Sequence, residues 1–241
     1  MYLTRRNWIW LASASAVDAA DESFPRQPAA LAKEMVGASH ANLKRVKELL
    51  SQRPALVNAS WDWGFGDWET ALGAASHIGN KEIAELLLGG GAAPTLFSAA
   101  MLGQTAVLKA MIAARPGIEC ALGPHGIPLL SHAKAGGSKE MIDFVQSLEG
   151  ASGAQPRSLT PAEQSAFTGV FVFGTGASES IEVSISKTQL MFTRKGETQR
   201  PIHYLGDNTF YPSGALAVRI RIEGATLTVH DGESVVTAKK R

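Results

Sequence analysis

The sequence predicts an α+β, multidomain protein: a solenoid of short helical repeats over residues 27–150, a linker at 151–160 and a small antiparallel β-barrel or sandwich over 161–241. Three observations carry that expectation. The first half repeats a unit made of small residues, a glycine and an apolar helix. Residues 150–160, GASGAQPRSLT, are small and polar, as a linker or turn requires. Beyond them the hydrophobic period changes from helical to alternating.

The repeat is plainest in ETALGAASHIGNKEIAELLLGGGA, residues 69–92. Ala38, Ser39 and His40 stand 37 positions before Ala75, Ser76 and His77. Aligned on the turn after the first helix, Gly79, Gly103 and Gly136 fall at one place, with Asn42 in the first copy. These residue types tolerate left-handed backbone at a helix end. After each turn comes an apolar stripe of helical period: Val46, Leu49 and Leu50; Ile83, Leu86 and Leu87; Leu108, Met111 and Ile112; Met141, Phe144 and Val145. Before each glycine lies a short first helix, in TALGAASHIG (70–79), FSAAMLG (97–103) and GIPLLSHAKAG (126–136), whose small residues permit close packing. The turn-to-turn spacings of 37, 24 and 33 make one unit regular, one shortened and one carrying an insertion.

A helix–turn–helix–loop unit of about 33 residues has the ankyrin period. GIPLLSHAKAGG, 126–137, resembles the ankyrin pattern TPLHxAAxxG, with Ile127 for Thr and Leu130 for His. TALGAASHIG keeps Thr70 but has Ala71 for Pro and Gly73 for His, and LLLGGGAAP closes its helix as the family's LLLxxGAD does. The resemblance covers residues 30–150 and implies four irregular repeats that present loops and a concave face to a partner. The missing histidines imply irregular loops.

In the second half Ile181, Val183 and Ile185 alternate with Glu182, Ser184 and Ser186; Val218, Ile220 and Ile222 with Arg219 and Arg221; Leu227 and Val229 with Thr226, Thr228 and His230. With FTGVFVF, LMFTR, IHYL and VVTAKK this makes seven or eight short strands joined by tight turns such as Lys195-Gly196 and Gly206-Asp207. A meander of that length suggests closure, which removes exposed edges. Through FTGVF and VVTAKK it is similar to the small β domains behind bacterial penicillin-binding-like hydrolases and peptidases.

Fragments that imitate catalytic motifs lack their context. GASHA (37–41) sits on a repeat helix, where a nucleophile elbow needs strand, serine and helix. SHAK (131–134) and SISK (184–187) have no KTG or SDN partner, and GTGASE (174–179) reads as a hairpin turn. No catalytic residue, metal ligand set or cofactor is therefore expected. Stacked repeats could bring His40 and His77 together, where a zinc or acid/base site is conceivable. The preferred account is a semi-buried histidine at a short helix end, since no Asp or Glu accompanies these positions in a ligand-like spacing.

The most informative local feature is SWDWGFGDWE, 60–69, with Trp61, Trp63, Phe65 and Trp68 among Asp62, Asp67 and Glu69. It serves either as a cap over the first repeat or as a recognition finger, tryptophan being rich in binding hot spots. The expected partner-binding set is Trp61, Asp62, Trp63, Phe65, Asp67, Trp68, His77, Met101 and His132.

The net charge of +1 implies neither nucleic acid nor an anionic membrane as partner, and the single Cys120 permits no intrachain disulfide. At the N-terminus Thr4, Arg5 and Arg6 before Asn7 and Trp8 resemble the twin-arginine export motif, followed by an apolar stretch too short to anchor and by small residues at Ala14, Ala16 and Ala19. A cleaved signal over residues 1–20 and a periplasmic or secreted protein are implied, or a cytoplasmic one if the match is spurious. The expected function is a monomeric, non-catalytic scaffold gripping a protein or peptide. The alternative is a small-ligand-binding or hydrolase-accessory protein of the cell envelope that uses the β domain.

Overall fold

Polar side chains that accept from the first free amides mark most helix starts in the first half. The computed structural model of the protein describes residues 26–153, 156–176 and 179–241. The expected signal at 1–20 lies outside them. Helices α1 (Ala29–Ala38) and α2 (Leu43–Gln52) form the first pair, and Asn42 caps α2 by accepting from the amide of Arg45 at 3.0 Å. Asn42 has φ −107°, so it is a capping residue and not a left-handed turn. Next come a short hairpin, β1 (Ser60–Asp62) and β2 (Trp68–Thr70), and then α3 (Ala71–Ile78) and α4 (Lys81–Gly89), capped by Thr70 and Asn80. The third pair is α5 (Leu96–Met101), opened by a Thr95/Ser98 capping box, with α6 (Thr105–Ala114); the fourth is α7 (Leu129–Gly136) with α8 (Lys139–Gln146).

The apolar stripes fall inward as expected, with Val46, Leu49, Ile83, Leu87, Leu108, Met141 and Val145 all buried. The turn glycines divide. Gly79 and Gly103 are left-handed, at φ 83° and 73°. Gly136 instead lies inside α7, where a Cβ would stand 1.8 Å from the carbonyl oxygen of Met101, and Gly137 makes the turn. Gly136 is thus a contact between helices, not a hinge.

The expectation of an ankyrin solenoid is corrected. In a solenoid each unit meets only its neighbours, whereas here α3 packs on α5 and also on α7, past it. The reason is the shortened third unit: α5 spans only six residues, and glycine at 79 lets the end of α3 come against the carbonyl of Ala135. The helices bury two apolar clusters, one around α1–α4 that also takes Met101 of α5 and one around α5–α8, and the β1–β2 hairpin interrupts the series.

The second half begins with α9 (Pro161–Phe167), an element that the alternation does not announce, opened by a Thr160/Glu163 capping box. Eight strands follow: β3 (Gly169–Val172), β4 (Ser180–Ser186), β5 (Gln189–Arg194), β6 (Arg200–Gly206), β7 (Thr209–Pro212), β8 (Arg219–Glu223), β9 (Thr226–Asp231) and β10 (Ser234–Lys240). Each pairs antiparallel with the next, and β10 pairs with β3, so the sheet closes into the barrel that the alternation suggested. Register places Ile220 opposite Val229 and Ile222 opposite Leu227. These residues join Phe171, Ile181, Val183, Phe192 and Phe210 in the filled interior, while Ile185 faces outward. Phe167 of α9 meets the Phe210 ring edge-on at 4.9 Å.

Candidate metal centre

Strand alternation in β2 sends Trp68 and Thr70 outward and Glu69 inward, where its side chain is 0 % exposed. A buried carboxylate is costly unless it is paired. Three imidazoles from three other places in the chain surround it. His40 follows the end of α1; its Nδ1 lies 3.2 Å from the carbonyl of Val36 and 3.1 Å from that of Gly37. A proton on Nδ1 donates there, which leaves Nε2 as a lone-pair donor facing Glu69 Oε2 at 3.5 Å. His77 sits in the last turn of α3 with Nε2 3.0 Å from Glu69 Oε1. His125 occupies the turn Pro124–Gly126 in a left-handed conformation, φ 59°. Its Nδ1 is 2.8 Å from Asp67 Oδ2 and its Nε2 3.3 Å from Glu69 Oε1.

His40, Glu69, His77 and His125 each offer one ligand atom, and these atoms all lie within 4.8 Å of one another. Zinc–ligand bonds of 2.0–2.2 Å in a tetrahedron imply ligand-to-ligand edges of about 3.4 Å. The contacts of His77 and His125 to Glu69 Oε1, 3.0 and 3.3 Å, are close to that length, and His40 stands 3.5 Å from the other oxygen, Oε2. Glu69 Oε1 and His77 Nε2 are both buried and stand 3.0 Å apart, yet neither is aligned for a hydrogen bond. Outer partners hold the set in place. Trp63 Nε1 donates to Glu69 Oε2 at 2.7 Å, the Val36 and Gly37 carbonyls orient His40, and Asp67 orients His125. Such partners fix tautomer and ring direction in metal sites.

Burial pushes the Glu69 carboxyl up, but the close His125 and His77 rings and the charges of His125 and His40 outweigh it and hold it at about 2. Burial pushes the His125 imidazole down, yet Asp67 and Glu69 together raise it to about 9. Without a metal, then, a proton on His125 and the Arg200 guanidinium together face the two carboxylates.

The expected partner-binding residues disperse. Trp61 and Trp63 pack against the first helical core, with Lys33 over the Trp61 ring; Asp62 accepts from the amide of Gly64; Phe65 packs on the barrel core beside Phe192. Met101 and His132 are fully buried, and only Trp68 faces outward, 62 % exposed. Trp63, Asp67 and His77 are gathered at the centre, together with His40, Glu69, His125 and Arg200, which were outside the expected set. The missing acid is supplied by a strand and not by helical spacing. The Ser-His pairs at 39–40 and 76–77, one repeat apart, and the inward position of the β2 alternation were the available signals; nothing local to Gly123–Gly126 places His125 beside them.

No protein-family model and no curated protein sequence matches the chain. Among the described residues no helix is long and apolar enough to cross a membrane.

Proposed function

We propose that the protein binds one divalent transition metal, zinc by its geometry, through His40, His77, His125 and Glu69. The observation that carries this reading is the gathering of four ligand atoms within 4.8 Å of one another, with Glu69 Oε1 and His77 Nε2 buried face to face at 3.0 Å and not aligned for a hydrogen bond. Three imidazoles and one carboxylate suit zinc, and four protein ligands are the complement of a structural site. Asp67, the second carboxylate, is engaged by His125 and Arg200 and is not a free base. The protein is then a metal-stabilised, non-catalytic module. Metal analysis after dialysis against zinc should find one equivalent in the parent and none in Glu69→Gln or His77→Ala. At zinc a hundredfold above the dissociation constant the parent should gain about 2.7 kcal/mol of stability. A parent that retains no zinc, and none of iron, nickel or copper either, ends this reading.

A second reading is favoured by a groove of about 700 Å3 between α9 and the barrel, lined by Leu159, Leu190, Ile202 and Phe210 with Arg157 and Lys187 at its polar side. It suits a small ligand with an apolar body and an anionic head, in keeping with the carrier alternative. Thermal shifts with short-chain fatty acids check it. Recognition of a protein or peptide by the hairpin is supported by Trp68 alone.

A further inference from the structure

We propose that the β-barrel completes the metal centre: Arg200, acting through Asp67, positions the His125 imidazole for the metal. The inference rests on the metal reading above.

Arg200 is the first residue of β6 and is 8 % exposed. Its Nη1 donates to Asp67 Oδ2 at 3.3 Å and to the carbonyl of Ser213 at 3.0 Å, and its Nη2 donates to the carbonyl of Trp63 at 2.7 Å. One guanidinium thus ties the barrel wall, the carboxylate and the hairpin that carries Glu69. Asp67 in turn takes hold of His125 twice: Oδ1 accepts from its backbone amide at 2.8 Å and Oδ2 meets its Nδ1 at 2.8 Å. Held at both backbone and ring, His125 keeps a left-handed conformation that a side chain seldom adopts, with Nε2 facing Glu69.

The barrel side is shaped for this approach. Gly214, at φ 80°, lies so close to Asp67 that a Cβ would stand 2.3 Å from its carboxylate, and the backbone of Gly214 also abuts Gly126, next to His125. A purely structural seam would be better served by apolar residues, because burying an ion pair costs desolvation that its attraction barely repays. Here the pair points at Nδ1 of a ring whose other nitrogen is a candidate ligand. A carboxylate behind a ligating histidine fixes its tautomer and raises its basicity, and losing such a partner typically costs 10- to 100-fold in metal affinity.

The test compares zinc dissociation constants of the full chain, parent against Arg200→Met, Arg200→Lys and Asp67→Asn. Alongside them goes Ile220→Val, which thins the barrel core and leaves the relay intact. Cobalt(II), which shares zinc's tetrahedral preference and absorbs in the visible, reports the ligand field at saturation. The expected result is a 10- to 100-fold weaker constant in Arg200→Met and Asp67→Asn with a shifted cobalt band, partial recovery in Arg200→Lys, and parental behaviour in Ile220→Val. Parental zinc binding and cobalt spectrum in whichever of Arg200→Met and Asp67→Asn is folded would overturn the inference and leave the metal reading standing. An equal loss in Ile220→Val would also overturn it, since the barrel's stability and not the relay would then set affinity. A parent that binds neither zinc nor cobalt removes the metal reading itself.

Discussion

The helical half and the barrel bury their interiors in different ways. The barrel's central cluster is apolar, from Phe171 to Ala238, with its strands paired all round, and the buried polar residues of the second half, Gln164, Arg200 and Ser213, lie outside that cluster. The helical half buries Ser39, Asp67, Glu69, Ser76, Ser98 and His132 as well. Ser39 and Ser76 donate back within their own helices to the carbonyls of Met35 and Leu72 at 2.8 and 2.6 Å, and the rings of the histidines that follow them meet edge to face at 5.0 Å. A closed sheet has no helix ends inside, so its interior can be apolar while its wall, at Arg200, still reaches the helical half. Irregular joints between helices are where polar groups must be buried, and where a metal centre can be assembled at little additional cost.

The sharpest way to break this comparison is to damage the barrel's apolar interior. Phe210→Ala removes a fully buried ring and should cost about 4 kcal/mol in urea unfolding; if the barrel core is chemically neutral, zinc affinity of the folded variant stays parental. Next in size, Gly136→Ala puts a methyl group onto the Met101 carbonyl, and a loss of about 3 kcal/mol is expected by the same measurement. A near-neutral result would mean that α5 and α7 can slide apart.

The pH response should separate two histidines of the helical half by sign. Burial holds the His132 imidazole down at about 4, so it is neutral in the fold while the unfolded chain takes up a proton below 6.5. Its contribution is complete above 6.5 and lost as pH falls toward 4, up to about 3 kcal/mol. Urea midpoints measured from pH 7 to 4 should show this slope in the parent and a flatter one in His132→Leu. His125 runs the other way: with its imidazole raised to about 9, its contribution is complete below 6.5 and lost as pH rises through 9. Midpoints in chelator should therefore fall on the alkaline side, and Asp67→Asn should diminish that fall. The smallest effect belongs to the barrel's outer face, where Arg221 and Glu223 pair with both side chains over half exposed. Glu223→Gln should change stability by less than about 0.5 kcal/mol, and a larger loss would show that the barrel depends on its surface charges.

Much of the fold was legible. Val46, Ile83 and Met141 with their companions read as buried stripes and are buried; Ile220 and Leu227 read as an inward face and face inward. Periodicity reports burial because one face of an element is dry. It does not report how units stack, and the 24-residue spacing that shortens the third unit gave no sign that α3 would reach α7. The candidate site was half legible. His40 and His77 stood one repeat apart, and Trp63, Asp67 and His77 were singled out for a different role. Glu69 looked like one more charge in a loop until β1 paired with it and turned it inward.

The sequence by itself determined the two classes of element and most of the apolar faces, and it left the second half as a barrel or a sandwich. All of these follow from interactions between residues near in the chain or from alternation along one strand. Only the tertiary structure decided that positions 40, 69, 77, 125 and 200 meet, because each lies on a different element and their approach is set by packing contacts, such as Gly79 on Ala135 and Gly214 on Asp67, that no local pattern encodes.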